Sequence, residues 1–545
     1  MAVTLTDYLT IRRLLTAGND QIWYEDKMAA GTMVELVAAR GDIDTTDQLQ
    51  IFEMAQKGFV VNGATKRIVD FVNVKLTHAA LTTPHAFGDI LTQDQTGGNI
   101  AYMTVDYTNA AKTETYGYAY YAGTATAFNT TISVTGSGTG TTFTPVTVVA
   151  PPHWRTWTEY QGDTTTYGTM PAKAYLGCRY YGRAVVSGNP LEPYQWYMSR
   201  IGNPYDWAYA ANDAASAIRG GNSDAQQLGD IVRALIPYKD DYLVFGCAAT
   251  MWFLMGNPTS GGSLLELDLT TGIFGSNSWC HDNDGNLYFW GNNGIYKAVV
   301  PGRATCISDE KLPRLVKTEA INPSTHRISM AFDAERHGIL VAITVLATGV
   351  NSNYWIDLHI VDDGGKASIT KESYPAAASA YSLFYYDAND TSLRGLLVGG
   401  QDGYIRTFDD EAKSDDAGAA DAAIDSYAVL GPLHVGDGNR REGTIGGVDL
   451  VVAGGGASDS RPDSNDVTFK IFGGRTAEQA IALASANVNP RFAGIFKGPG
   501  NRRGSTRRQQ MTAMYAAIRL SNTTLDQTWA FEDLHVTSKL SGRAK

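Results

Sequence analysis

The chain has 545 residues, of which only 18% are charged, with 57 glycines, 29 tyrosines and a formal net charge of −12. That length excludes a single small core, and the acidic balance excludes a protein whose whole surface clings to nucleic acid or anionic membranes. Abundant Thr, Tyr, Val and Gly favour pleated strands joined by tight turns over surface helices.

The opening residues, MAVTLTDYLTIRRLLTAGNDQIWYEDKM, lack a basic region followed by an apolar run and a cleavage site. No secretory signal is therefore expected, and no window approaches the ~18 apolar residues of a membrane helix. Residues 1–48 are expected to form an N-terminal segment packed on the main body. Tyr8, Leu9, Ile11, Leu14 and Leu15 lie near helical spacing, and Met33 to Ala38 reads as a short strand. From 49 to 84, apolar runs separated by turns predict consecutive antiparallel strands. Residues 85–150 change composition to Thr, Gly, Tyr and Ala with hardly any Leu, and alternations such as Ala101 to Tyr107 and Thr130 to Thr135 suit half-exposed strands. This stretch is expected to be a small inserted β-domain, disorder being the competing reading.

Over 151–412, and clearest from about 170, a looser repetition appears, in which a short apolar run meets a Gly- or Asp-Gly-marked turn and then a second run. YYGRAVVSG, DGNLYFWGNNGIYKAVV and LRGLLVGGQDGYIRTF are examples. The repeat length of roughly 45–55 residues is enough for four strands, which predicts a β-propeller core without WD40 or kelch signatures. The acidic run DDEAKSDDAGAADAAID, residues 409–425, reads as a solvated linker. Beyond it, 413–545 is expected to be a C-terminal β-rich domain holding one helix from Thr476 to Ala484, capped by Thr476 with Glu478 and Gln479 in the first turn. The fold class expected is mainly β: a propeller core, an inserted small β-domain and a C-terminal β-rich domain.

Chemistry is sparse. Cys178, Cys247, Cys280 and Cys306 lie far apart with no CxxC spacing, so neither a zinc site nor a disulfide framework is indicated. GxSxG, HExxH and GxxxxGK[ST] are absent, and His281 and His337 stand singly in expected turns. Asp282-Asn-Asp-Gly-Asn286 resembles the start of a calcium loop, but the sixth and twelfth positions are Leu287 and Asn293 rather than Gly and Glu. A hairpin turn is the better reading. The same stretch does not fit the spacing of a sialidase Asp-box, so a glycosidase is not supported. No catalytic residue, cofactor or metal site is assigned, and an enzyme is not expected. Arg502, Arg503, Arg507 and Arg508 cluster within GNRRGSTRRQQ and are the candidate interface residues, suited to an acidic partner surface or passing nucleic acid. A solvated hairpin loop is the plainer alternative.

SRIGNPYDW, residues 199–207, invites comparison with a sugar site or catalytic loop. Nothing beside it supplies a base, a metal or a second carboxylate. Pro204 presets a turn, Arg200 and Asp206 are spaced to pair across it, and Trp207 offers a packing anchor, so a structural corner between strands is expected. Together with GCRYYGRAVVSG before it and GDIVRALIPYKDDYLVFG after it, this order resembles the tail nozzle, or tail tubular protein B-like, proteins of short-tailed bacteriophages. The likeness is firmest over about 170–300 and 430–545, and weaker motifs at Asn286 to Tyr296, Trp529 to Val536 and Gly542-Arg543 extend it. Residues 1–48 and 85–150 match nothing in that family and suit docking or decoration elements.

The resemblance implies a propeller with appended β-domains, assembled as a homohexameric ring at the distal end of the tail around the genome-ejection channel. Implied partners are further copies of the chain, a tail adaptor or portal-proximal protein, tail fibres, and viral DNA in transit. The implied location is the virion, after synthesis in the host cytoplasm. A carbohydrate- or receptor-binding propeller module is the alternative, because Trp and Tyr in loops also stack on sugars.

Overall fold

Four short strands, Ala2–Asp7, Leu9–Gly18, Gln21–Glu25 and Met33–Glu35, open the chain as an antiparallel sheet. The expected helical segment is thus a strand. Leu15 faces Val60 and Val69 of the second sheet, while Leu14 faces Tyr386 and Leu397 of the seventh. Because both faces of this strand are covered, consecutive apolar residues replace the polar alternation by which a strand is usually read. The computed structural model describes all residues except 8, 222–226, 240, 362–366, 410–411, 419, 438–440, 453–463, 499–502, 507–510 and 545. It is mainly β and divides into two units, Met1–Phe408 and Asp409–Lys545.

In the first unit, seven more antiparallel sheets follow the N-terminal one among the described residues, six in series and one inserted. The second joins Gln50–Met54, Lys57–Asn62 and Thr65–Asp70 to a strand that arrives much later, His153–Thr156. Between them the chain leaves to build a separate six-stranded sheet from Val74–Thr77, Ile90–Asp94, Ile100–Thr108, Glu114–Ala122, Thr135–Gly136 and Thr147–Val149. The third to seventh sheets occupy 176–219, 232–268, 279–306, 326–372 and 380–407 in sequence order, the last with three strands.

Each sheet packs on the next. Gly177 donates its N–H to Gln50 across 3.0 Å between the second and third. Trp196 meets Phe245 at 5.7 Å between the third and fourth. Ile236, Val244 and Phe253 share a core with Leu287 and Phe289 between the fourth and fifth, as do Tyr288 and Trp290 with Ile328 and Val341 between the fifth and sixth. Leu340 packs on Leu396, and the Thr344 hydroxyl donates to the Ala380 carbonyl at 2.7 Å. The seventh sheet then returns to the first: Arg12 reaches the Asp387 carboxylate at 2.8 Å, and Asn389 exchanges hydrogen bonds with the Arg12 backbone at 3.0 and 3.1 Å. Tyr386 also donates its hydroxyl to Glu25.

The second unit has its own core between two sheets. One orders Ser426–His434, Tyr515–Asn522, Val467–Gly474 and Phe492–Phe496; the other is built on Arg441–Val452, flanked by Arg503–Thr506, Met511–Ala513 and Phe531–Ala544. The helix runs Ala477–Ser485, with the Thr476 hydroxyl accepting from the Gln479 N–H at 3.2 Å while the Gln479 side chain accepts from the Arg475 N–H at 2.9 Å. Its alanines let it lie close on Phe472 and Ala517. Part of the expected linker is ordered as an exposed hairpin, Ser414–Asp416 paired with Asp421–Ala423.

Candidate functional site

The 199–207 corner is held by backbone first. The Arg200 N–H donates to the Asp206 carbonyl at 2.8 Å, and the Asn203 side chain accepts from the Tyr205 N–H at 3.0 Å, which rounds the chain at Pro204. Gly202, at φ +72, adopts the left-handed conformation this turn needs. The guanidinium of Arg200 pairs with Asp213 at 2.8 Å and stands 4.0 Å from Asp206, so its main partner lies further along the loop than the sequence spacing implies. Burial raises the Asp206 carboxyl above its ordinary value. Pro204 offers its carbonyl to the Trp157 indole at 2.9 Å, and the buried Trp207 ring lies 6.0 Å from that of Trp157. All four corner residues are therefore brought together, as parts of a joint.

Arg183, from the neighbouring GCRYYGRAVVSG stretch, is fully buried, and its hydrogen bonds go to carbonyls and to neutral side chains among the described residues. Its guanidinium donates to the Ser199 and Ala214 carbonyls at 2.9 and 3.0 Å and to the side chains of Asn257 and Thr259, both at 3.1 Å. Burial lowers its pKa to about 10. Five-donor geometry lets one arginine tie a long loop of the third sheet to a turn of the fourth. Tyr180 does the same with its hydroxyl, which donates to the Gly256 carbonyl at 2.9 Å.

The corner also delivers Tyr205 into the most concentrated group of buried charges, which lies between the second sheet and the inserted one. Arg155 donates to Asp106 at 3.0 Å, Asp70 at 3.4 Å and the Tyr205 hydroxyl, while Tyr205 donates to Asp106 at 2.8 Å. Lys57 reaches Asp106 at 3.0 Å, and the Asn73 amide bridges Asp70 and Asp106 at 2.8 and 2.9 Å. The remaining face of the Arg155 guanidinium is caged by the rings of Tyr107, Tyr116 and Tyr205, at 4.6, 5.2 and 5.2 Å. These rings stand where the guanidinium lacks hydrogen-bond partners, and a cation over aromatic faces is stabilised there. Burial opposes ionisation of Asp70 most strongly, yet Lys57, Arg155 and two backbone N–H groups outweigh it and hold the carboxyl below its usual range. Tyr205 is pushed well above its ordinary value by burial. Charges this paired and enclosed can clamp two sheets together, but they present no free nucleophile or base to a substrate.

A second buried polar group, His85, lies inside the inserted domain under Gly136 and Gly140, whose missing side chains make room for the imidazole. Among the described residues neither ring nitrogen has a hydrogen-bond partner, and the Asp89 carboxylate is 3.9 Å away. Burial lowers its pKa, with Asp89 acting in the opposite sense.

The other candidates separate. Asp282 closes its turn by accepting from the Asn286 N–H and side-chain amide at 2.7 and 2.6 Å, so its carboxylate is spent on the hairpin. Among the described residues no group of three or more His, Cys, Asp or Glu is arranged to hold a metal ion. The four cysteines are free; burial raises Cys178 and Cys280 strongly and pushes Cys247 to about 12. Arg502, Arg507 and Arg508 lie outside the described residues, and Arg503 begins the strand Arg503–Thr506. Sequence reasoning missed Arg155, Asp70, Asp106 and His85. The available signal was a charged residue beside apolar ones within a strand, as Arg155 beside Trp154 in HWRT and Asp70 after Ile68 and Val69 in TKRIVD.

No protein-family model matches the sequence, and no curated protein matches it. Among solved structures, the chain is similar to the extracellular domain of a hybrid two-component system protein from B. thetaiotaomicron, with 10% identity and a TM-score of 0.24 over 75% of this chain and 51% of that one. The same domain described as a one-component system gives 10% identity and a TM-score of 0.23 at the same coverage. The chain thus spans about half the length of these neighbours, and a likeness this low bears on neither fold nor function.

Proposed function

We propose that the chain is a structural virion protein that forms the distal tail nozzle ring of a short-tailed phage. In this reading its first unit is a seven-bladed β-propeller carrying an inserted sheet. Support for the propeller comes from the return of the seventh sheet to the first through Arg12, Leu14, Tyr386 and Asn389, since sheets that pack in sequence and then meet their own beginning form a ring. The observation that carries the structural role is the use made of the family-like residues. Arg183, Tyr180, Pro204, Tyr205 and Trp207 all serve as struts between sheets, and none is aimed at open space.

A ring subunit must hold its shape, because heterologous contacts close only when every copy presents the same geometry. Copies would surround the ejection channel, dock to the tail adaptor and carry fibres. The net charge of −12 suits a channel past which DNA slides without sticking. Electron microscopy of the purified full-length protein tests the reading: a closed ring with a central opening is expected. A stable monomer that is retained on a glycan column would overturn it in favour of a carbohydrate-binding module.

A further inference from the structure

From Thr115 to Pro152 the chain carries no Asp, Glu, Lys, Arg or His, although the whole protein is strongly acidic. The strand Glu114–Ala122 runs through the start of this stretch. Its residues 115–122 pair with Ile100–Thr108, but on its other side Val74–Thr77 covers only residues 114–117. Among the described residues no strand pairs with Tyr118 to Ala122 on that side, which leaves an open ladder of backbone donors and acceptors. Tyr118, Tyr120 and Tyr121 beside it are 52, 41 and 37% exposed.

The register gathers an apolar and hydroxyl-rich face there. Tyr102 lies opposite Tyr120 and beside Thr92, and Thr104 lies opposite Tyr118 and beside Ile90. The rings of Tyr102 and Tyr120 stack at 4.8 Å and 10°. Exposed edges are ordinarily guarded by Lys, Pro, a bulge or a covering loop, because an unguarded one templates pairing with another chain. The 118–122 edge has no charge and no proline. At its other end the same sheet is clamped by the Arg155 cluster, so the edge is held in place.

We infer that the open edge Tyr118 to Ala122, with the tyrosine face beside it, is the surface through which a second copy of this chain associates. The inference deepens the ring reading and rests on it. Charge selects the occupant. Two copies of net charge −12 repel each other, and a contact made through the uncharged 115–152 stretch of the insert removes like charges from the closest approach. An extended segment of the neighbouring copy continues the ladder, and the tyrosines bury large rigid rings at small conformational cost.

Sedimentation velocity of the full-length protein over a concentration series tests this, comparing the wild type with Tyr118→Lys/Tyr120→Lys. Tyr194→Lys, at an exposed tyrosine in a turn between strands of the third sheet, is the control. Both substituted edge residues are exposed, so folding is expected to be retained, and near-ultraviolet circular dichroism checks it. Wild type and Tyr194→Lys should self-associate, and the edge variant should do so at least about tenfold more weakly, since two lysines block strand addition. If the edge variant forms the same closed ring as the wild type, the inference fails while the nozzle reading stands. If the wild type forms only a tyrosine-dependent dimer, the surface is supported and the ring reading falls. A wild type that stays monomeric at every concentration overturns both. Tyrosine-dependent retention of a monomer on insoluble starch would reassign the face to sugars.

Discussion

Replacing Arg155 by Met should loosen the inserted domain from the second sheet. The substitution keeps a similar apolar stem but leaves Asp70, which is fully buried, and Asp106 facing each other with only Lys57 to balance them. Breaking a buried pair from one side costs about 3–5 kcal/mol, because the surviving charge stays out of water. The lost cation–aromatic contacts with Tyr107, Tyr116 and Tyr205 act in the same direction. At about 1.4 kcal/mol per factor of ten, amides at the junction should exchange hydrogen roughly 150- to 4,000-fold faster. Peptides covering 65–77 and 100–116 should report the change, while those covering 326–345 in the sixth sheet should not.

The pH dependence fixes the cause. Although burial opposes it most strongly, the Asp70 carboxyl is held below its usual value by Lys57, Arg155 and backbone N–H groups. A depressed folded pKa contributes stability that is present above the unfolded value of about 3.9 and is lost as pH falls through the lower folded value. Without Arg155, burial of Asp70 is opposed less strongly and its carboxyl becomes easier to protonate. The deficit of Arg155→Met against wild type should therefore be largest near neutrality and shrink towards pH 4. Adding Asp70→Asn should restore part of the loss, since it removes the stranded charge. A deficit under about 1 kcal/mol, or one that neither narrows in acid nor responds to Asp70→Asn, would refute the electrostatic clamp.

Further tests address other joints. Arg183→Met should destabilise the first unit by about 3–5 kcal/mol in urea unfolding, because several buried carbonyls and amides lose one charged donor, and exchange should rise over 199–216. His85, whose pKa burial lowers, binds its proton more readily when unfolded, so its effect on stability is full above about pH 6.5 and is lost as pH falls below it. The unfolding midpoint of the wild type should decline between pH 7.5 and 5, and His85→Leu should flatten that decline. Iodoacetamide on the native protein should label Cys306 first, since it alone of the four cysteines is not buried; prior labelling of Cys178 or Cys280 would contradict the packing. Thr476→Ala should cost the second unit about 1 kcal/mol in denaturant unfolding through the lost helix cap.

What could be read from the sequence follows physical range. The capped helix after Thr476 and the hairpin turn at Asp282 are local, decided by contacts a few residues apart, and both appear where the residues predict them. Leu14 and Leu15 misled because a strand buried on both sides has no polar face, and the sheets that cover it lie 45 and more than 370 residues away in sequence. Arg200 was paired with Asp206 on spacing alone, whereas the loop folds back to bring Asp213 closer. The Arg155 cluster draws on six separated segments, around 57, 70, 106, 116, 155 and 205, so no window of sequence contains it. Each of its members looks like an ordinary surface charge or a strand tyrosine when taken alone. Only folding reveals that Asp70 and Asp106 share one cation, and that the corner at 199–207 supplies the tyrosine that completes its cage. That corner is thus better understood as one wall of an interlock between the second sheet, the third and the insert. Its rigidity is what would hold the uncharged edge at Tyr118 in a constant position from copy to copy.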